Sequence, residues 1–215
     1  MSFAWNNPGV LVQVGLSDSS EYSLSPRELD GIAKSACAKR FREFRAGRFA
    51  ARQAIERLGY DAEGGIGVGA NRAPIWPSGI CGSISHAGTI AVAAVAKKDQ
   101  LQSLGIDIEL VTRSVRSGFE IRVAHDREIH LIRVGQISLI ELFAAKEAIY
   151  KAFSPLWKKP FGFHSVELSI RESEGVRFVS GAFSEPKMRL FFKDDFFVTL
   201  EQSGDYVLAS VCLWS

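Results

Sequence analysis

The chain has 215 residues, 47% hydrophobic and 23% charged, which is ordinary for a folded protein, supplies a sizeable core and excludes a disordered chain. Its 26 basic and 24 acidic side chains leave a formal charge of +2, too small a basic excess for a bulk nucleic-acid binder. No apolar run is long enough to span a bilayer, and Met1 to Val14 lacks a basic segment followed by an apolar one, so a cytoplasmic protein with no signal peptide and no membrane partner is expected. Cys37, Cys81 and Cys212 are scattered without CxxC spacing and read as buried, reduced thiols.

Residues 1–26 form a polar, turn-rich entry with one expected strand, Val10 to Leu16. Ser25, Pro26 and Glu28 together make a capping-box helix start with proline at the first helical position. Helical spacing follows from Arg27 to Leu58 in two pieces, and Gly59 stops it. Residues 61–80, with five glycines and two prolines, read as loop. Short strands are expected at Gly82–His86, Ile90–Ala96 and Leu104–Leu110. Residues 112–137 mix charges with isolated apolar positions and read as a weakly structured connection. A helix is expected from Ser138 to Phe153, with Pro155 beyond its end. The remainder alternates as strands: Ser165–Arg171, Val176–Ser180, Met188–Phe192, Phe196–Gln202 and Tyr206–Leu213.

Each half therefore reads as helix followed by antiparallel strands, an α+β pattern. Residues 1–111 form the first half and residues 112–215 the second. A faint echo links them: Thr89 to Val95 resembles Tyr206 to Cys212, each a last hairpin strand after a glycine-containing turn. Generic strand composition explains the echo as well as duplication does.

Gly105-Ile106-Asp107-Ile108-Glu109 carries the most information. On a strand, Asp107 and Glu109 share one face and the isoleucines the other. Two neighbouring carboxylates repel, and a hard divalent cation such as magnesium would relieve them while keeping waters for a phosphate. A solvent-facing acidic strand fits the same residues. In the later helix, Glu147 and Lys151 lie four apart on one face. They read either as a surface ion pair or as a metal ligand or base beside a phosphate-binding cation. Ser85 and His86 end a strand where both can donate to phosphate oxygens. Arg40, Arg48 and Arg52 recur on one side of the first helix, with fork-shaped donors suited to phosphate. A solvated basic face is the alternative for them, and Arg72 reads equally as a solubilising loop residue.

Taken together, these segments resemble the Sfp-type 4'-phosphopantetheinyl transferases, and within them the enterobactin synthase component D branch. The matching stretches are Glu43 to Arg48 with Ala51-Arg52, Trp76 to Gly79 leading to Gly82 to His86, Gly105 to Glu109, Phe143 to Lys151, and Phe161 to Phe163. These ordered motifs, spanning about Arg40 to Phe163, are far more specific than one acidic pentapeptide.

The resemblance implies that Asp107, Glu109 and Glu147 hold magnesium, that Asp107, Glu147 and Lys151 form the catalytic group, and that Lys151 contacts the pyrophosphate of coenzyme A. It implies Arg40, Arg48, Arg72, Ser85 and His86 as further contacts for that coenzyme's phosphates, with Lys146 added. It also implies a monomer of two similar α+β halves with antiparallel sheets related by a pseudo-twofold, the coenzyme between them. The implied reaction moves the phosphopantetheine arm onto a serine of an apo acyl, peptidyl or aryl carrier protein. The chain departs from the family where Arg72 is followed by Ala73 instead of glycine, and residues 112–137 match nothing in it. Two other functions are weighed against this one: a non-catalytic module that binds coenzyme A or a carrier protein, and a different magnesium-dependent phosphotransfer enzyme.

Overall fold

The computed structural model describes residues 9–33, 35–173, 176–192 and 196–215. The part of the signal-peptide reading that concerns residues 1–8 lies outside them. By internal packing the chain divides into two units, one running to Leu104 and rejoined by Trp214 and Ser215, the other running from Gly105 to Leu213. No described helix is long and apolar enough to cross a membrane.

The first unit opens with β1 (Leu11–Leu16), then a one-turn helix α1 (Pro26–Leu29) and the long α2 (Ala38–Arg57). The capping box forms as read: Ser25 Oγ accepts the N–H of Glu28, and the Glu28 carboxylate accepts the N–H of Ser25. Gly59, with φ +84°, takes the left-handed conformation that ends α2. The expected loop contains a two-residue ladder, β2 (Gly67–Val68) with β3 (Pro74–Ile75), folded around a 3₁₀ turn at Ala70–Arg72. The hairpin of β4 (Ile80–Ala87) and β5 (Ile90–Lys97) joins β1 in an antiparallel sheet ordered β1-β5-β4.

Small side chains set the close packing of this unit. Ala46, Ala50, Ala51 and Ala54 of α2 are fully buried, and a Cβ added at Gly15 of β1 would lie 2.6 Å from the Ala46 carbonyl oxygen. Helix backbone thus meets strand backbone almost directly. Ile55, Ile66, Ile80 and Val95 complete the core.

β6 (Leu101–Leu110) carries the chain across the division. The second unit follows with α3 (Phe119–Val123), α4 (Asp126–Arg133), α5 (Leu139–Trp157), β7 (Val166–Ser173), β8 (Val176–Phe183), α6 (Pro186–Phe192), β9 (Phe196–Ser203) and β10 (Tyr206–Trp214). Its sheet is ordered β6-β10-β9-β8-β7. On it α5 buries Ala144, Ala148, Ile149, Ala152 and Phe153 against Val166, Leu168, Val179, Val198 and Val207. Phe153 packs edge-on against Phe183 and Phe192, with ring centroids 4.8 and 4.7 Å away.

Four expectations are corrected. Residues 112–137 hold two short helices, α3 and α4; acidic Asp126 and Glu128 start α4 and basic His130 and Arg133 end it, favourable charges at each terminus. Residues Met188–Phe192 are helical, not extended. Pro186 stands in the first turn, and the Glu185 carbonyl accepts the N–H groups of Met188 and Arg189. α5 runs through Pro155 to Trp157, because a proline this late costs only the bond to the Lys151 carbonyl; the Lys158 N–H still reaches Ser154. Of the cysteines, Cys81 is buried but Cys37 is exposed.

Candidate functional site

In the second unit the site grows from one glycine. A Cβ at Gly105 would lie 2.0 Å from the Ala148 carbonyl oxygen and 2.5 Å from the Ala152 nitrogen, so only glycine lets α5 sit this close to β6. Alternation then puts Asp107 and Glu109 on the face that Gly105 turns to α5. Ala148 is flanked in sequence by Glu147, and Lys151 is one turn further on. The Lys151 ammonium donates to Asp107 Oδ1 at 2.7 Å and to the Ile106 carbonyl at 3.0 Å. Of the two readings of Glu147 and Lys151, the surface ion pair between them is not the one formed; Lys151 is paired with Asp107.

Asp107 is 5% exposed, while Glu109 and Glu147 are half-buried. Burial pushes both glutamates above the ordinary carboxylate value, and the charge of Asp107 pushes them further. Lys151 and Arg113 pull in the other direction. Asp107 thus acts electrostatically on both glutamates. Arg113, which follows β6, was missed from the sequence. It bonds Glu109 Oε1 at 2.5 Å and lies over the Phe143 ring, 4.8 Å from its centroid. The four-residue interval from Glu109 to Arg113 was its only sequence signal.

Three carboxylates in one electrostatic neighbourhood supply the hard oxygen donors magnesium prefers, and their mutual repulsion is what a dication would relieve. Among the described residues, however, no group of three or more His, Cys, Asp or Glu side chains is drawn together closely enough to hold a metal. Asp107 and Glu109 are turned to Lys151 and Arg113 instead.

Lys146 has another place from the one implied for it. It is 2% exposed, and its ammonium donates to Glu128 Oε2 at 2.6 Å and to the carbonyls of Val123 and Phe163 at 2.8 and 3.1 Å. Burial lowers its pKa, against the opposing pull of Glu128. A cavity of about 530 Å³ lies between α4 and β7 along Asp126, His130, Leu131 and Glu167, and neither Asp107, Glu109 nor Glu147 lines it.

In the first unit the basic residues separate. The Arg40 guanidinium donates to His86 Nε2 at 2.8 Å, and His86 Nδ1 lies 3.7 Å from Glu43 Oε2. That bonding assigns the neutral tautomer with hydrogen on Nδ1. Ser83 and Ser85 are buried on one face of β4, and His86 is partly exposed on the other. Arg72, at φ +62°, is exposed. Arg48 and Arg52 do not form the expected basic face. Arg48 is 5% exposed, donates to the Ile66 carbonyl at 2.9 Å and covers the Phe44 ring at 4.4 Å. Burial lowers its pKa to about 10; Glu28 raises it, and Arg40 and Arg52 add to the lowering. Arg52 pairs with fully buried Glu28 and donates to the Ser23 carbonyl at 2.6 Å.

The profile of the 4'-phosphopantetheinyl transferase N-terminal domain matches residues 28–96, and that of the 4'-phosphopantetheinyl transferase superfamily matches residues 103–211. The chain belongs to that superfamily. It is 37% identical over 159 residues to the 4'-phosphopantetheinyl transferase Npt of Nocardia iowensis, covering 70% of this chain and 68% of that protein. It is 33% identical over 177 residues to the 4'-phosphopantetheinyl transferase PptT of Mycobacterium tuberculosis, covering 76% and 74%. It is 34% identical over 141 residues to enterobactin synthase component D of Salmonella typhi, covering 63% of this chain and 57% of that protein. The mixed α+β architecture with antiparallel sheets is consistent with the phosphopantetheinyl transferase fold.

Proposed function

We propose that this transferase moves the 4'-phosphopantetheine group of coenzyme A to a serine of an apo carrier protein and releases 3',5'-ADP. The observation that carries the reading is the meeting of β6 and α5, where Lys151 bonds Asp107 and where the Asp107 charge raises two half-buried glutamates. The superfamily match and the similarity to two 4'-phosphopantetheinyl transferases support the same reaction.

The serine oxygen forms a bond to the β-phosphorus of coenzyme A as the bond from that phosphorus to the bridging oxygen breaks. Glu147, whose raised pKa suits a proton acceptor, takes the serine proton. Lys151 steadies the charge that develops on the leaving 3',5'-ADP. Asp107, Glu109 and Glu147 would hold magnesium only once Asp107 and Glu109 turned from Lys151 and Arg113 to gather with Glu147, and the ion would then supply Lewis-acid neutralisation of pyrophosphate charge. Arg40, Arg72, Ser85 and His86 stay as candidate contacts for the coenzyme's phosphates. Arg48 is removed from that role by its internal bonds. A cytoplasmic monomer remains part of the proposal, and gel filtration tests the oligomeric state.

The deciding experiment incubates the protein with coenzyme A, magnesium and an apo carrier protein. Release of 3',5'-ADP only with the carrier serine present, together with a carrier heavier by one phosphopantetheine, is the expected result. Coenzyme A breakdown without a carrier would indicate a hydrolase. Binding without turnover would indicate a non-catalytic module.

A further inference from the structure

An ammonium carries three N–H donors. Those of Lys146 face three acceptors: the Val123 carbonyl, Glu128 Oε2 and the Phe163 carbonyl. Glu128 is fully buried and is bonded on both oxygens, Oε2 accepting the His125 N–H and Oε1 the Leu168 N–H, each at 2.7 Å. The pair therefore ties α5 to the end of α3, the start of α4, the turn at Phe163 and the strand β7. No donor of Lys146 is left for a phosphate, and the side chain has almost no surface from which to offer one.

We propose that Lys146 is a positioning residue, locked to Glu128 so that Glu147 and Lys151 are held at Asp107. The inference rests on the functional reading of Glu147 and Lys151 given above. Successive helix residues point about 100° apart. Rotation of α5 that moved Glu147 away from β6 would therefore have to break the bonds of Lys146 beside it. The close approach at Gly105 sets how near α5 lies, and Lys146 sets how it is turned. In the first unit fully buried Glu28 pairs with partly exposed Arg52, and the neighbours of Arg52 are Ala51 and Gln53, which carry no acid. The fully buried pair is the one in α5, and it stands next to a reacting carboxylate.

The test compares the wild type with Lys146→Met, Glu128→Gln and the double variant, by steady-state kinetics with coenzyme A and an apo carrier and by calorimetric coenzyme A binding. The wild type is read first, because absence of transfer there overturns the functional reading and this inference together. With an active wild type, positioning predicts that each single variant loses about 10- to 100-fold in kcat while the Kd for coenzyme A stays within about twofold. The double variant is expected to lose no more than the worse single, since both act through one contact. A Lys146→Met protein with coenzyme A Kd raised about tenfold and kcat unchanged would overturn positioning in favour of phosphate contact, and so would Glu128→Gln with wild-type kcat. If a single variant fails to fold, the double variant, in which both buried charges are gone, decides alone: full kcat sinks the idea, and lowered kcat with unchanged Kd supports it.

Discussion

In the first unit Gly15 lets β1 lie against the α2 backbone at Ala46, and in the second Gly105 lets β6 lie against α5 at Ala148. β5 sits between β1 and β4, and β10 between β6 and β9, so the two strands with an echoing sequence hold like places in their sheets. Each unit also buries a capping-box glutamate that binds a cation of its long helix and the N–H of a later residue: Glu28 with Arg52 and Ile66, Glu128 with Lys146 and Leu168. The devices recur but not residue by residue, since Arg52 follows Ala46 on its helix whereas Lys146 precedes Ala148 on its own. The seam of strand and helix carries different chemistry in the two units. Two residues after the glycine stands Ser17 in one and Asp107 in the other. Just before the touching alanine stands Arg45 in one and Glu147 in the other. Arg45 donates to the Ser19 carbonyl at 2.5 Å, and Phe49 of the same helix stacks on Tyr22. The scaffold therefore does not require acids at this seam, which makes a chemical role the better account of those in the second unit.

The largest expected effect comes from giving the second unit the residue of the first. Asp107→Ser, and likewise Glu147→Gln, should leave the fold intact by circular dichroism and lower holo-carrier formation, read by mass spectrometry, at least about a hundredfold. Ser17→Ala should turn over normally. Normal turnover by Asp107→Ser would erase the contrast between the seams.

Next in size is the ion pair of the first unit. Glu28→Ala leaves partly buried Arg52 without its carboxylate and two backbone N–H groups, of Ser25 and Ile66, without their acceptor. A loss of about 3–5 kcal/mol in denaturant unfolding is expected. A loss under about 1 kcal/mol would show that water replaces the carboxylate, and the likeness to Glu128 would weaken.

The contrast explains what the sequence disclosed. Period-two alternation and the glycine mark β6, and helical spacing marks both long helices, so these and the acidic pair were legible. The Ser25 capping box, however, opens only the one-turn α1. The first piece of the expected Arg27–Leu58 helix does not continue, residues 30–33 and 35–37 being non-helical before α2 begins at Ala38. Five apolar-rich residues at Met188–Phe192 fit strand or helix equally by spacing, and Pro186 was the overlooked signal. The fate of a charged side chain was less legible, because it depends on partners distant in sequence. Spacing put Arg40, Arg48 and Arg52 on one side of a helix, but it could not show that Ile66 and Glu28 would bind two of them inside. Lys146 next to Glu147 reads like a second site residue, and only the fold brings Glu128, Val123 and Phe163 around it.

Gly105→Ala and Gly15→Ala probe the seams at a smaller scale. Each added methyl meets helix backbone, which cannot yield as a flexible side chain would, and a stability loss of about 1–3 kcal/mol is expected for both. They should differ in function. At a temperature where both remain folded, Gly105→Ala should lose turnover because α5 is displaced from Asp107, whereas Gly15→Ala should keep most of its kcat. Equal loss in both would mean that the first seam also shapes the reacting groups.

The smallest effect concerns the helix caps. Ser25 and Ser138 each accept the N–H of a glutamate three residues on, whose carboxylate answers the N–H of the serine. Replacing a capping serine with alanine costs about 0.5–2 kcal/mol. The two caps are not equivalent, because the Glu28 carboxylate also binds Arg52 and Ile66, while the Ser138 cap is exposed. Loosening Ser25 should therefore lie at the upper end of the range for caps, about 2 kcal/mol, and loosening Ser138 at the lower, about 0.5 kcal/mol. The caps share no bonding partner, so the double variant should show the sum to within about 0.5 kcal/mol in urea unfolding. A larger departure from additivity would mean that the units unfold with coupled caps and that the resemblance between them extends to their energetics.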